Sequence, residues 1–301
     1  MFKTKALNFK KRTQREQFIW GWALILPTVL GLLVLNIIPI VQTVYLTFFK
    51  TGDFGLRNTF IAFANYVKAL RDPIILKAIR NTFIYMLLEV PISLIISLLL
   101  AFVLNQKIKF RGFYRTVIFL PMVAAPAAIA MVWKWLYNTE FGLINNLLGI
   151  NVSWLTDPHY TLISVAIIGI WSAIGYNMVL FLAALQDVSR DYYEAAELDG
   201  ASKLKTFFEI VLPMISPTIY FVLVTRVITA MQVFDNIYMV MDMMNPALED
   251  TQSLVMLFYR YSFVEGNLGY GSTLAIILLL LLLLITFMQR VFEKKWVFYN
   301  D

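Results

Sequence analysis

The chain alternates long apolar runs with short polar intervals, and the run lengths point to membrane-spanning helices. A helix needs about 20 mostly apolar residues to cross a bilayer. Six stretches qualify: 20–44, 79–104, 113–136, 160–185, 214–241 and 271–291. The last contains the unbroken run "LAIILLLLLLLITFM", whereas Arg226 and Asp235 interrupt the fifth. The pattern predicts an all-α membrane protein with six transmembrane helices. An even number of crossings puts both termini on one side. Pro27, Pro39, Pro91, Pro121 and Pro126 fall inside these runs. Kinked or locally unwound helices suit a protein that alternates between two shapes.

Two polar intervals carry a pattern of their own. Phe63, Tyr66, Val67 and Leu70 recur at helical spacing, and Asp72-Pro73 breaks the series. This predicts a short helix lying on the membrane surface. Between the fourth and fifth runs lies "EAAELDGASKLKTFFEIVLP", Glu194–Pro213. Asp191 is expected to cap a helix start, with Glu194 completing a capping box. Tyr192, Ala195, Ala196 and Leu198 supply an apolar side. Asp199-Gly200 ends that helix, because glycine accepts the left-handed conformation of a tight turn. Ser202 is expected to cap a second helix with Leu204, Phe207, Phe208 and Val211 on its apolar face. A mere connector would be shorter. Segment 190–213 reads as a rigid knob that docks into another protein and transmits force.

Composition agrees with the runs: 60% of residues are hydrophobic and 15% charged, against about 25% charged in soluble domains. The net charge of +6 follows from loops facing an anionic membrane surface, so no nucleic-acid partner is expected. Lys3, Lys5, Lys10, Lys11, Arg12 and Arg15 share one side with Lys107, Lys109, Arg111 and Arg115. Arg190, Lys203, Lys205, Arg290, Lys294 and Lys295 join them. That side reads as the cytoplasm, with 1–17 a cytoplasmic basic N-terminus; the basic loop Lys50–Arg80 is the exception. The run from Trp20 to Val44 is too long for a signal peptide and lacks a cleavage site, so it reads as an uncleaved first span. With no cysteine and only His159, thiolate and histidine-cluster metal sites are excluded. No paired nucleophile and base is evident, so an enzyme is not expected.

Glu194-Ala195-Ala196, Asp199-Gly200-Ala201, Ile210, Leu212 and Pro213 resemble the EAA motif of the permease subunits of ATP-binding-cassette importers. The spacing EAA-x3-G-x9-I-x-L-P is met throughout. In that family the segment is the coupling helix, seated in a cleft of the cytoplasmic ATPase. The resemblance covers most of the chain. "NYVKALRDP" with "RNTF", "FRGFYRTVIFLP", "WSAIGYNMVLFLAALQ" and "LGYGSTLAIIL" look like the carbohydrate branch. The first span and the tail "KKWVFYN" look like the first subunit of maltose-type permeases. The resemblance implies a second homologous permease subunit, two cytoplasmic ATPase subunits and an extracellular sugar-binding protein, all at a bacterial cell membrane. The dipeptide Gly-Lys never occurs, so the usual phosphate loop is missing. ATP and magnesium are expected on the partner ATPases, and no cofactor on this chain.

Sugars are held by hydrogen-bonding groups and by flat aromatic faces. The fourth run offers Trp171, Ser172, Tyr176 and Asn177; the fifth offers Gln232, Asp235, Asn236 and Tyr238. Ser172 and Tyr176 lie four apart, on one helical face, as do Gln232 and Asn236. The resemblance places a sugar site in the spans flanking the motif, at Tyr176 and its neighbours. Glu89 and Arg226 fall near the bilayer middle, where an unpaired charge costs about 2.5–3.5 kcal/mol. They are expected to neutralise each other or to line the pathway. Lys134 is expected to snorkel to the interface.

Residues 18–301 therefore read as an importer transmembrane domain that passes a carbohydrate, most simply an oligosaccharide, by alternating access driven by partner ATPases. Arg226 leaves room for an acidic cargo. The alternatives are a permease for a different or anionic solute, and a stand-alone secondary transporter.

Overall fold

The computed structural model describes residues 2–52 and 57–298, with side chains from Arg15 onward except at Arg57. The charges of Lys3, Lys5, Lys10, Lys11 and Arg12 and the last residues of the tail lie outside the described part. α1 (Phe2–Leu32) passes through a π-helical turn, Leu33–Ile37, into α2 (Ile38–Leu46). The apolar stretch of Arg15–Leu46 is long enough to cross a membrane, and none of it is buried. A hairpin follows, β1 (Phe49–Gly52) against β2 (Arg57–Phe60), antiparallel with Phe49 opposite Phe60.

The short helix expected here is α3 (Ala64–Arg71). Its Asn65 and Ala69 are buried, while Phe63, Val67 and Leu70 point outward. Asn65 Nδ2 donates to the carbonyls of Thr47 and Phe49 at 2.9 and 3.0 Å, which ties α3 beneath the hairpin. Asp72 ends α3 and starts α4 (Pro73–Asn105), accepting from the Ile74 amide at 3.0 Å. Proline suits that first turn, where its missing N–H is no loss.

The third run is not one straight helix. α5 (Arg111–Val123) and α6 (Pro126–Leu136) meet at 100°. Ala124 and Ala125 are extended there; at Ala125 the ring of Pro126 would clash with a helical conformation. Pro27, Pro91 and Pro121 sit inside helices without ending them. After the short α7 (Leu143–Leu148), α8 (Thr161–Asp187) forms the centre of the fold. It packs along α4, burying Val165, Ala166, Phe181 and Leu185. Gly175 lets the α5 backbone close in, since a Cβ there would overlap the Ile118 carbonyl.

α9 (Arg190–Leu198) and α10 (Lys203–Thr206) make the helix–turn–helix; a π-helical turn, Phe207–Val211, and α11 (Leu212–Met214) continue it. The chain then bends by 67° into α12 (Ser216–Met231). The fifth run, expected to be helical to 241, stops at Met231; α13 (Asp235–Val240) begins anew after Gln232–Phe234. α14 (Leu248–Thr251), α15 (Leu254–Tyr259), a π-helical turn at Arg260–Val264 and α16 (Leu268–Trp296) complete the order. Lys134 pairs with the exposed Asp242 at 3.6 Å. Among the described residues, four helices are long and apolar enough to span a membrane, or up to six if each bent pair is one crossing.

Candidate functional site

A cavity of about 330 Å³ lies between α4, α5, α8 and the break after α12. α8 lines it with Gly169, Ser172, Ala173 and Tyr176. That spacing of three, four and seven is one face of a helix. Tyr85 comes from α4, Met122 from α5, and Arg226, Thr229 and Ala230 from α12. Gln232, Val233, Phe234, Asp235 and Asn236 come from the unwound turn and the start of α13.

The break exposes backbone groups that need partners. Ser253 Oγ donates to the Val233 carbonyl at 2.5 Å and accepts from the Met256 amide at 3.1 Å. One hydroxyl thus closes the break and caps α15. Such irregular backbone is tolerated at membrane depth where it lines a cavity. It also corrects the expectation for Gln232 and Asn236. They share no helical face, since α12 ends before Gln232 and Asn236 belongs to α13, yet both reach the cavity. Asn236 is held by its amide, which donates to the Tyr85 hydroxyl at 3.3 Å.

Of the other expected pathway residues, Ser172, Tyr176, Arg226 and Asp235 line the cavity and Trp171, Asn177 and Glu89 do not. Trp171 packs edge-on against Trp133, with ring centroids 5.8 Å apart. Asn177 is fully buried off the cavity, and neither amide atom has a partner. Glu89 is fully buried behind Arg226 and bonds its guanidinium, so the two do neutralise each other. Asp235 has no such cation among the described residues. Beyond the cavity wall, Phe234 stacks on Tyr238 at 5.0 Å and meets Tyr259 at 5.1 Å. Sequence reasoning missed Tyr85, Gly169 and Phe234. Tyr85 lies one turn before Glu89, and Gly169 shares a face with Ser172 and Tyr176, so periodicity carried both.

At the far end of α8, Ser189 rather than Asp191 caps α9, accepting from the Asp191 amide at 3.4 Å. Asp191 occupies the first turn, where a carboxylate favours the helix dipole. Gly200 has φ +71° and ends α9 as expected, with the Ala201 amide donating to Ala196 at 2.9 Å. Ser202 caps α10 through the Lys205 amide at 3.3 Å. Ala196 is buried, whereas Glu194, Ala195, Asp199 and Gly200 are exposed; Ala201, Ile210, Leu212 and Pro213 are half-buried. The expected apolar faces divide. Phe207 and Val211 enter the core, with Phe207 on Phe102 at 4.6 Å, while Leu198, Leu204 and Phe208 stay exposed. Tyr193 is partly enclosed beneath the segment, and burial raises its phenol above the ordinary range. The result is a rooted knob with an uncovered apolar surface. Among the described residues no three His, Asp or Glu side chains converge as metal ligands.

A family model described as "Binding-protein-dependent transport system inner membrane component" matches residues 93–297. The lactose transport system permease protein LacF of Rhizobium radiobacter is 31% identical over 292 residues, covering 94% of this chain and 97% of its own. The sn-glycerol-3-phosphate transport system permease protein UgpA of Brucella abortus biovar 1 (strain 9-941) is 32% identical over 287 residues, covering 94% and 97%. Among solved structures, a chain of a bacterial alginate ABC transporter, in complex with an alginate pentasaccharide-bound periplasmic protein, superposes with TM-score 0.83 at 22% identity. It covers 95% of this chain and 96% of that one. That likeness establishes a shared fold.

Proposed function

The chain belongs to the family of binding-protein-dependent transport system inner membrane components, and from that premise we propose that it passes a carbohydrate into the cell. It is a membrane permease subunit, not itself an enzyme, so the work comes from ATPase partners. In this reading, two ATPases grip Glu194–Pro213 and its counterpart on a second, homologous permease. ATP and magnesium are theirs. A sugar-binding protein delivers the cargo from outside. The chain makes six crossings, each bent pair counting as one, with both termini in the cytoplasm. ATP binding favours one of two permease shapes by differential affinity, and α9–α11 carry that preference to α8 and α12.

The observation that supports a saccharide is the cavity. Tyr176 offers an aromatic face, and Ser172, Gln232 and Asn236 offer hydroxyl and amide groups. Arg226 is already answered by Glu89, which leaves Asp235 as the one lining charge without an ionic partner among the described residues. A neutral cargo whose hydroxyls donate to a carboxylate fits this balance; an acidic cargo meets repulsion. A second reading, an anionic solute, is favoured by one fact: the Arg226 Nε has no partner.

The test uses the assembled transporter with its binding protein. Sugar-loaded binding protein should stimulate ATP hydrolysis, and Tyr176→Ala should weaken uptake while the ATPases still co-purify. Gradient-driven uptake by this chain alone would overturn the reading. Acidic-cargo uptake abolished by Arg226→Gln, with neutral sugars ignored, would select the second reading.

A further inference from the structure

The stretch "FRGFYR", Phe110–Arg115, has no part in the cavity or the coupling segment, yet it builds a cationic cluster. Arg111 and Arg115 lie one turn apart at the start of α5 and converge on Gln186, near the end of α8. With its amide oxygen turned toward them, Gln186 accepts from Nη2 of both, at 2.8 Å from Arg115. Among the described residues no carboxylate pairs with either arginine. The Nε of each is enclosed and unpartnered. Among the described residues, one neutral amide is thus all that answers the two guanidinium ions.

Helix stability does not explain the pair. Cations in a first turn oppose the helix dipole, and α5 has neither an acidic residue there nor a side-chain cap. Adjacent Phe110, Phe113 and Tyr114 are exposed, with tyrosine the type that settles at head-group level. α5 then continues as Val117, Ile118, Phe119 and Leu120. The cluster sits at the polar end of an apolar helix.

We infer that Arg111 and Arg115 form a binding site for a phosphate group supplied by an anionic phospholipid. Guanidinium forks match phosphate oxygens in geometry and charge, and basic pockets between membrane helices hold such head groups. Gln186 precedes the Ser189 cap by three residues, so the bound head group ties α5 to the root of the coupling segment. The leaflet, cytoplasmic, rests on the coupling reading above; the lipid contact does not.

The complete transporter is placed in nanodiscs of phosphatidylcholine with or without phosphatidylglycerol, and retained lipid is read by native mass spectrometry. Wild type should keep phosphatidylglycerol, and R111Q/R115Q should keep about tenfold less. K107Q/K109Q removes the same charge from the neighbouring loop and should keep most of it. Where R111Q/R115Q does not assemble with its partners, R115Q is read in the same way. Equal retention by wild type and arginine variant overturns the site, as does an equal loss in K107Q/K109Q. Inorganic phosphate is the second arm: added to phosphatidylcholine discs, it should not stabilise the complex as phosphatidylglycerol does. If it does so fully, the ligand is a soluble phosphate and the lipid assignment fails.

Discussion

Asn236 and Tyr85 join α13 to α4 across the cavity wall, the amide donating to the phenol at 3.3 Å. The same hydroxyl lies where Gly169 lacks a Cβ. Three elements therefore meet at one oxygen, and the small residue on α8 is what admits it. Gly169→Ala forces Tyr85 aside and should cost about 1–3 kcal/mol by overpacking. Tyr85→Phe in the same chain removes the obstructing oxygen and should recover part of that loss. Thermal unfolding in detergent measures both; an unchanged Tm in Gly169→Ala would refute the argument.

Glu89 and Arg226 should behave as one unit. Removing only the cation, Arg226→Gln, strands a fully buried carboxylate and should cost about 3–5 kcal/mol. The double variant Glu89→Gln/Arg226→Gln leaves no buried charge and should regain most of the stability. Losses that simply add in the double variant would show that the two side chains act independently.

The turn at Gly200 is held at φ +71°, where a β-branched residue is strained by about 1–2 kcal/mol. Gly200→Val should leave membrane insertion intact and depress substrate-stimulated ATP hydrolysis of the assembled complex. Full stimulation in this variant would detach the turn from coupling.

Ser189 and Asp191 make a contrast. Loss of the cap in Ser189→Ala should cost about 1 kcal/mol, and Asp191→Ala less, since its carboxylate only favours the dipole. Hydrogen exchange of the amides at 190–193 distinguishes them; the larger acceleration in Asp191→Ala would restore the capping role to Asp191.

The helices were legible because lipid-sized apolar runs and 3.6-residue periodicity are local signals. So was the knob, since Gly200 and Ser202 write their turn and cap within a few residues. The breaks were not. Pro126 ends a helix while Pro91 and Pro121 do not, and that difference depends on the neighbours each meets. The stop at Met231 has no proline or glycine to announce it; its closing partner, Ser253, lies far along the chain. The pairing of Glu89 with Arg226 was foreseeable from the cost of lone charges in a membrane. Which of the two faces the cavity was set by packing alone. Asn177 looked like its neighbours Ser172 and Tyr176 in kind, but its register turns it into the helix interface.

The first span has no buried residue along its apolar stretch, and among the described residues only its last turns, in α2, lie against α16 and the hairpin. Whatever encloses it, hydrocarbon or protein, supplies the fit. Exchanging leucine, isoleucine and valine freely between Gly31 and Ile37 should therefore leave the rest of the molecule undisturbed, whereas shortening that rod by a turn should pull on the hairpin and on α16. Its length is specified from within, and its texture from without.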